Sequence, residues 1–267
     1  MLVFGLLAGL YFLFKNRSEK TQRILIFSLM VVNLLQHLLK IYVYPQYHGQ
    51  SFGAISTAYN MCALLIIITP FIYLFGSELW KNFIVYVGSF AGTISILVTY
   101  WLAEPIEGQI RFVLCHALLL YTSILPALFG IYKINYRKCY KLPFVFYTCL
   151  MILIVNDVIT YTTGLAGELG NTTLLEFLYE QNPCWVMGPS DDYALVAKII
   201  AVFTPKFLED VILLWYSIPI FLLITLGSFG LGVWLDNERF TSDYEKFKEK
   251  LKSISLKINE KLKKDKK

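Results

Sequence analysis

Apolar residues in this chain gather into long unbroken runs instead of alternating with polar ones, and most of the runs are long enough to cross a membrane. A helix spanning a hydrocarbon core of about 30 Å needs roughly 20 apolar residues. Runs of this kind occupy residues 22–43, 54–75, 83–102, 110–132, 142–161 and 211–235, and a shorter one occupies residues 1–14. No basic segment precedes the short run and no small-residue cleavage site follows it, so it reads as a first helix and not as a signal peptide. The expected fold is all-α: a polytopic membrane helix bundle of about seven transmembrane helices over residues 1–237, then a tail over 238–267. Composition agrees, with 57% hydrophobic residues against the roughly 45–50% usual for soluble domains.

Charge adds an orientation. Lys15, Arg17, Lys20 and Arg23 make one basic loop and Lys133, Arg137, Lys138 and Lys141 another, with Lys81 between them in alternate order. The opposite loops, residues 44–53 and 103–109, hold no Lys or Arg, and the second carries Glu104 and Glu107. Short loops rich in Lys and Arg stay on the cytoplasmic side, so the N-terminus is expected outside and the C-terminus in the cytoplasm, with the plasma membrane as the expected location. The long connection over 162–210 then lies outside. Its glycines and prolines break any long helix, Trp185 suits an interface, and a connection of this length is expected to fold as a lid or re-entrant element. All of the net charge of +5 resides in the tail, where Phe240, Tyr244, Phe247, Leu251, Ile254 and Ile258 recur at helical spacing on a Lys-rich background. That pattern fits an amphipathic helix on the anionic inner leaflet, a helix paired with a partner helix, or a solvated helix that only fixes orientation. The five cysteines are odd in number and mostly lie in or beside apolar runs, which argues against a disulfide framework.

Polar side chains inside spanning helices are costly, so they normally face the bundle interior, a partner or a wet cavity. Here they concentrate in the half expected to be outer. Asn33, Gln36, His37 and Lys40 follow the i, i+3, i+4, i+7 pattern of one helical face. Asn60 and Cys62 are expected about nine residues into the next helix, with Arg111 at the rim and His116 at similar depth on another, and Asn156 and Asp157 near the outer end of a fourth. A polar pocket with a thiol beside an imidazole is the chemistry of acyl transfer: His, oriented by Asn or Asp, takes the thiol proton and the thiolate attacks a carbonyl. Arg111 and Lys40 suit a phosphate or carboxylate headgroup. The plainer readings are that Cys62 packs as a small hydrophobe, that His116 only bonds across helices with His37 or Asp157 as its partner, and that Lys40 and Arg111 snorkel. Cys115, one position from His116, points about 100° away and is the poorer partner.

Asn60-x-Cys62, with a later helix reading Cys115-His116-Ala-Leu-Leu-Leu and Pro126 beyond it, resembles the transmembrane protein 164 acyltransferases and their bacterial YwaF-type relatives over residues 54–161. The resemblance implies a Cys nucleophile at Cys62, a base at His116 and transfer of fatty acyl chains between phospholipids. Met61 and Ala63 beside the cysteine depart from a polar nucleophile setting, and the loop around Cys184 and Trp185 has no counterpart in the family. The alternative is a transporter or lipid-binding protein whose polar outer-half pocket does no covalent chemistry. Membrane lipids are the expected partners and nucleic acid is not; no cofactor fingerprint is present, and three histidines spread along the chain do not suggest a metal site.

Overall fold

A computed structural model of the chain describes residues 2–44, 47–48, 55–99, 106–167, 171–182, 187, 200–208 and 214–264. The described residues form an all-α fold with 11 α-helices. In chain order they are α1 (Leu2–Phe14), α2 (Glu19–Leu38), α3 (Lys40–Val43), α4 (Met61–Phe75), α5 (Glu78–Phe83), α6 (Ser89–Thr99), α7 (Ile106–Leu128), α8 (Leu142–Thr162), α9 (Leu174–Gln181), α10 (Ser217–Leu235) and α11 (Asn237–Lys264). A π-helical segment, Ile84–Gly88, joins α5 to α6, and a 3-10 turn, Tyr136–Lys141, leads into α8.

Three of these helices, not seven, are long and apolar enough to cross a membrane: Gly108–Leu128, Tyr136–Thr162 and Ser217–Leu235. The other runs fall short for separate reasons. At 1.5 Å per residue the 13 residues of α1 reach only about 20 Å, and the 15 of α4 about 22 Å. The run expected over 54–75 is shortened because Asn60 caps α4, its Oδ1 accepting from the Ala63 amide at 2.9 Å, so that residues 56–60 are not helical. Helix α2 has the length, but Glu19, Lys20 and Arg23 open it and Asn33, Gln36 and His37 lie near its end. The run over 83–102 is divided by the π segment.

Helix α7 is the hub. Of its apolar window 67% is buried inside the fold, against 44% for the α8 window and 17% for α10. That ordering places α7 at the centre and leaves α10 with most of its apolar surface facing outward. Helices α1, α2, α4 and α6 all pack on α7, the α6 contact being the most extensive. Gly88 and Gly92, four apart, make that approach possible. A Cβ built on Gly92 meets the His116 carbonyl oxygen at 2.8 Å and Leu120 at 3.0 Å, so α6 lies directly on the α7 backbone.

The basic segments meet at one end of the bundle. The Tyr73 hydroxyl, at the end of α4, donates to the Arg23 carbonyl at 3.4 Å, and its ring lies 5.9 Å from that of Tyr132. Lys138 pairs with Glu78 at 2.8 Å. Buried Asn82 bridges the Glu78 and Lys133 carbonyls and accepts from the Asn135 amide at 3.0 Å. Helix α11 joins this end as well: the Asp243 carboxylate accepts from Tyr136 Oη and from both Arg137 Nε, at 2.7 Å, and Arg137 Nη2.

Of the long connection over 162–210, the part described includes α9. A capping box starts it, Thr173 with Glu176, and Phe177 docks on Tyr161 of α8 with ring centroids 5.5 Å apart. Glu104, Cys184 and Trp185, and the side chain of Glu107, lie outside the described residues. Cys62, Cys115, Cys139 and Cys149 are not joined in disulfides.

Candidate functional site

At the end of the bundle opposite the basic loops, α2 and α3, the segment before α4, and helices α7 and α8 bring their polar side chains together. Helix α2 stops at Leu38 because Leu39 leaves helical geometry (φ −92°, ψ 4°), and α3 restarts at Lys40. The break leaves the polar face intact: Asn33, His37 and Lys40 are all buried, Lys40 to 1% exposure.

Lys40 and Arg111 form the electrostatic centre. Lys40 Nζ sits 4.4 Å above the Tyr59 ring and 5.5 Å above that of Tyr47, and donates to the Tyr59 hydroxyl at 3.4 Å. The Arg111 guanidinium lies 4.9 Å from the same Tyr47 ring, and its buried Nε has no hydrogen-bond partner. Among the described residues neither cation makes an ion pair. Ring faces contribute about 0.5–2 kcal/mol per cation, whereas a buried charge without a counter-ion costs several. Two cations sharing one aromatic ring also repel each other. Among the described residues, therefore, no anion balances the two cations.

A hydrogen-bonded chain runs beside them. His37 Nε2 donates to the Thr57 carbonyl at 3.1 Å; a carbonyl only accepts, so this nitrogen carries the proton. Thr57 Oγ1 in turn accepts from Asn156 Nδ2 at 3.4 Å, and the same amide lies 3.5 Å from Asp157 Oδ1. Asp157 is buried and its Oδ2 has no hydrogen-bond partner. Gln36 Nε2 donates to Asn33 Oδ1 at 2.9 Å, and Asn33 Nδ2 to the Cys115 carbonyl at 3.2 Å, which ties α2 to α7 next to His116.

His116 is buried and held from within its own helix. Nδ1 lies 2.8 Å from the Phe112 carbonyl and 3.3 Å from Cys115 Sγ. The carbonyl fixes the proton on Nδ1, so Nε2 is the nitrogen able to accept one. The Cys115 thiol also donates to the Phe112 carbonyl at 3.2 Å, which brings it nearer to the imidazole than adjacent helix positions suggest, yet commits its proton to the backbone. Cys62 is half-buried in the first turn of α4, one residue after the helix begins, not nine residues down a spanning helix. Asn60 serves as the cap of that helix.

Sequence reasoning named His37, Lys40, Arg111, Asn156 and Asp157 but missed what joins them. Tyr47, Thr57 and Tyr59 are the connectors, all close to a loop lacking Lys and Arg. The available signal was the repeated tyrosine at 44, 47 and 59 on both sides of that loop. Gln36 Oε1 accepts from the first of these, Tyr44, at 3.3 Å. An open groove of about 630 Å³, lined by Glu19, Arg23, Phe27 and Tyr73, lies at the basic end and shares no residue with this cluster. The chain matches no family model, no curated protein and no solved structure.

Proposed function

We propose that this chain is an integral membrane protein that receives the anionic headgroup of a lipid at Lys40 and Arg111, with its basic end in the cytoplasm and this site toward the outer side of the plasma membrane. One observation carries the reading: two cations, one of them almost wholly buried, flank a single tyrosine ring, and among the described residues no carboxylate is paired to either. A phosphate accepts charge-assisted hydrogen bonds from both and satisfies the bare Arg111 Nε. Tyr47 and Tyr59 supply amphipathic walls suited to a site where an acyl chain meets its headgroup.

A second reading builds on the same site. Its support is the place of Cys62 in the first turn of a capped helix, where the partial positive charge and first-turn amides favour an anion. In that reading the Cys62 sulfur attacks the ester carbonyl of a phospholipid while His116 Nε2 takes the thiol proton and returns it to the departing lysolipid oxygen; the hydroxyl of a second lysolipid then gives its proton to His116 Nε2 and attacks the thioester carbonyl, forming the new ester and releasing the Cys62 thiolate, which takes the proton back. This is the chemistry implied by the resemblance to the transmembrane protein 164 acyltransferases.

One preparation tests both. Protein held in nanodiscs of mixed phosphatidylglycerol and phosphatidylcholine is transferred to detergent, and retained lipid and intact mass are measured. Phosphatidylglycerol should be retained selectively, and Arg111→Gln should lower its retention by about tenfold, the loss of ~1.4 kcal/mol expected from one charge-assisted contact. Retention unchanged by that substitution sinks the headgroup site. An acyl adduct that disappears in Cys62→Ala supports catalysis, while selective retention with no adduct leaves a binding protein.

A further inference from the structure

We infer that α11 is an interfacial helix that lies along the headgroups of an anionic membrane surface at the basic end of the bundle. Three observations point there. The first is the corner that precedes it. Asp236 leaves helical geometry (φ −124°, ψ 40°), and the rings of Phe229 and Phe240 come within 6.2 Å although 11 residues separate them. Eleven residues of straight helix would span about 16 Å. The chain therefore folds back on leaving α10, and the Asp243 carboxylate, bound by Tyr136 and Arg137, fastens the new direction.

The second is where the apolar stripe begins and where it goes. Phe240, its first member, packs on Phe229 of the membrane-crossing α10 and on Tyr136, with ring centroids 5.6 Å apart in the second case. The stripe thus starts level with the end of two spanning helices, facing them. Phe247, Leu251, Ile254 and Ile258 continue on the same helical face beyond the bundle and are 58%, 50%, 43% and 54% exposed. They face the way Phe240 faces, which is where lipid lies once the protein is gone.

The third is the sorting of charge around the helix. At about 100° per residue, Lys246 and Lys250 fall on one flank of the stripe and Lys248 and Lys252 on the other, while Glu245 and Glu249 fall opposite it. Lysines on both flanks reach up to anionic headgroups while the apolar face sinks between them, and the glutamates stay in water. A second copy of the same stripe fits less well: a parallel pair would set Lys250 against Ser255, and Asp243, the residue it would set against Lys248, is already bound by Tyr136 and Arg137.

Hydrogen exchange on the full chain tests this in nanodiscs of phosphatidylcholine alone and of phosphatidylcholine with phosphatidylglycerol, at one protein copy per disc. Amides of residues 244–258 should exchange at least tenfold more slowly in the phosphatidylglycerol discs. Leu251→Glu with Ile254→Glu should remove that difference and leave α4 unchanged, which shows that the bundle still folds. Equal exchange in the two discs overturns the inference, as does protection that appears only when two copies share a disc. Neither result bears on the Lys40 and Arg111 site, which lies at the other end of the bundle.

Discussion

Lys40 concentrates the conflict between stability and use in this fold. Its ammonium is buried to 1% exposure, its contacts are two tyrosine rings and one hydroxyl, and the nearest other charge on the Tyr47 ring is a second cation. A group that existed only to hold helices together would be served better by an apolar side chain of the same length, because removing a buried charge that no described carboxylate balances also removes its desolvation cost. Lys40→Met keeps the stem and deletes the charge. In detergent without anionic lipid this variant should melt higher than the wild type, by an amount equivalent to about 1 kcal/mol or more. Adding phosphatidylglycerol should then raise the wild-type midpoint but not that of the variant. A variant that melts lower in both conditions would mean that the ammonium is structural, held by Tyr59 and Tyr47, and the headgroup reading would lose its main support.

At the scale of elements, the contact of α6 with α7 depends on two glycines that differ in what a side chain would meet. A methyl on Gly92 collides with backbone, the His116 carbonyl at 2.8 Å and the Leu120 amide at 3.0 Å, so one helix must move. A methyl on Gly88 meets Ser123 Oγ at 2.2 Å, an atom on a rotatable bond that has no hydrogen-bond partner to lose. Gly92→Ala should therefore destabilise by about 1–3 kcal/mol, clearly more than Gly88→Ala, as read by thermal unfolding in one detergent; equal costs would mean that the helices separate freely here. This pair is legible in the sequence as Gly88-x-x-x-Gly92. The long apolar helices α7, α8 and α10 were legible because run length is a local property. The ends of α4 and the interruption at Ile84–Gly88 were not, since apolar residues flank Asn60 and no proline marks the π segment, so each run looked continuous. In the site, buried polar side chains announced themselves by their cost in an apolar run. Tyr47, Thr57 and Tyr59 did not, because in sequence they read as ordinary loop or interface residues.

Across the whole molecule the two ends carry opposite kinds of polarity. One end buries Lys40, His37, His116 and Asp157 away from water, whereas the other holds exposed ion pairs that answer directly to the solution. Asp243 is the sensitive member of that exposed set. Hydrogen bonds from Arg137 and then Tyr136 hold its carboxyl at about 2, below the ordinary 3.8. A folded-state value below the unfolded one means that the ionised form is what favours docking. The lock is at full strength above about pH 4 and fades as pH falls toward 2. Lys246 also faces Asp243 and acts in the same sense. Exchange across residues 240–258 in zwitterionic detergent should therefore be flat from neutral pH down to about 4, after correction for intrinsic rates, and rise below it. Asp243→Asn should show the released level at every pH, with α7 protected throughout. If the wild type instead loosened between pH 5 and 7, a histidine or another carboxylate would be holding the tail, and the corner between α10 and α11 would owe its shape to packing of Phe229, Phe240 and Tyr136 alone.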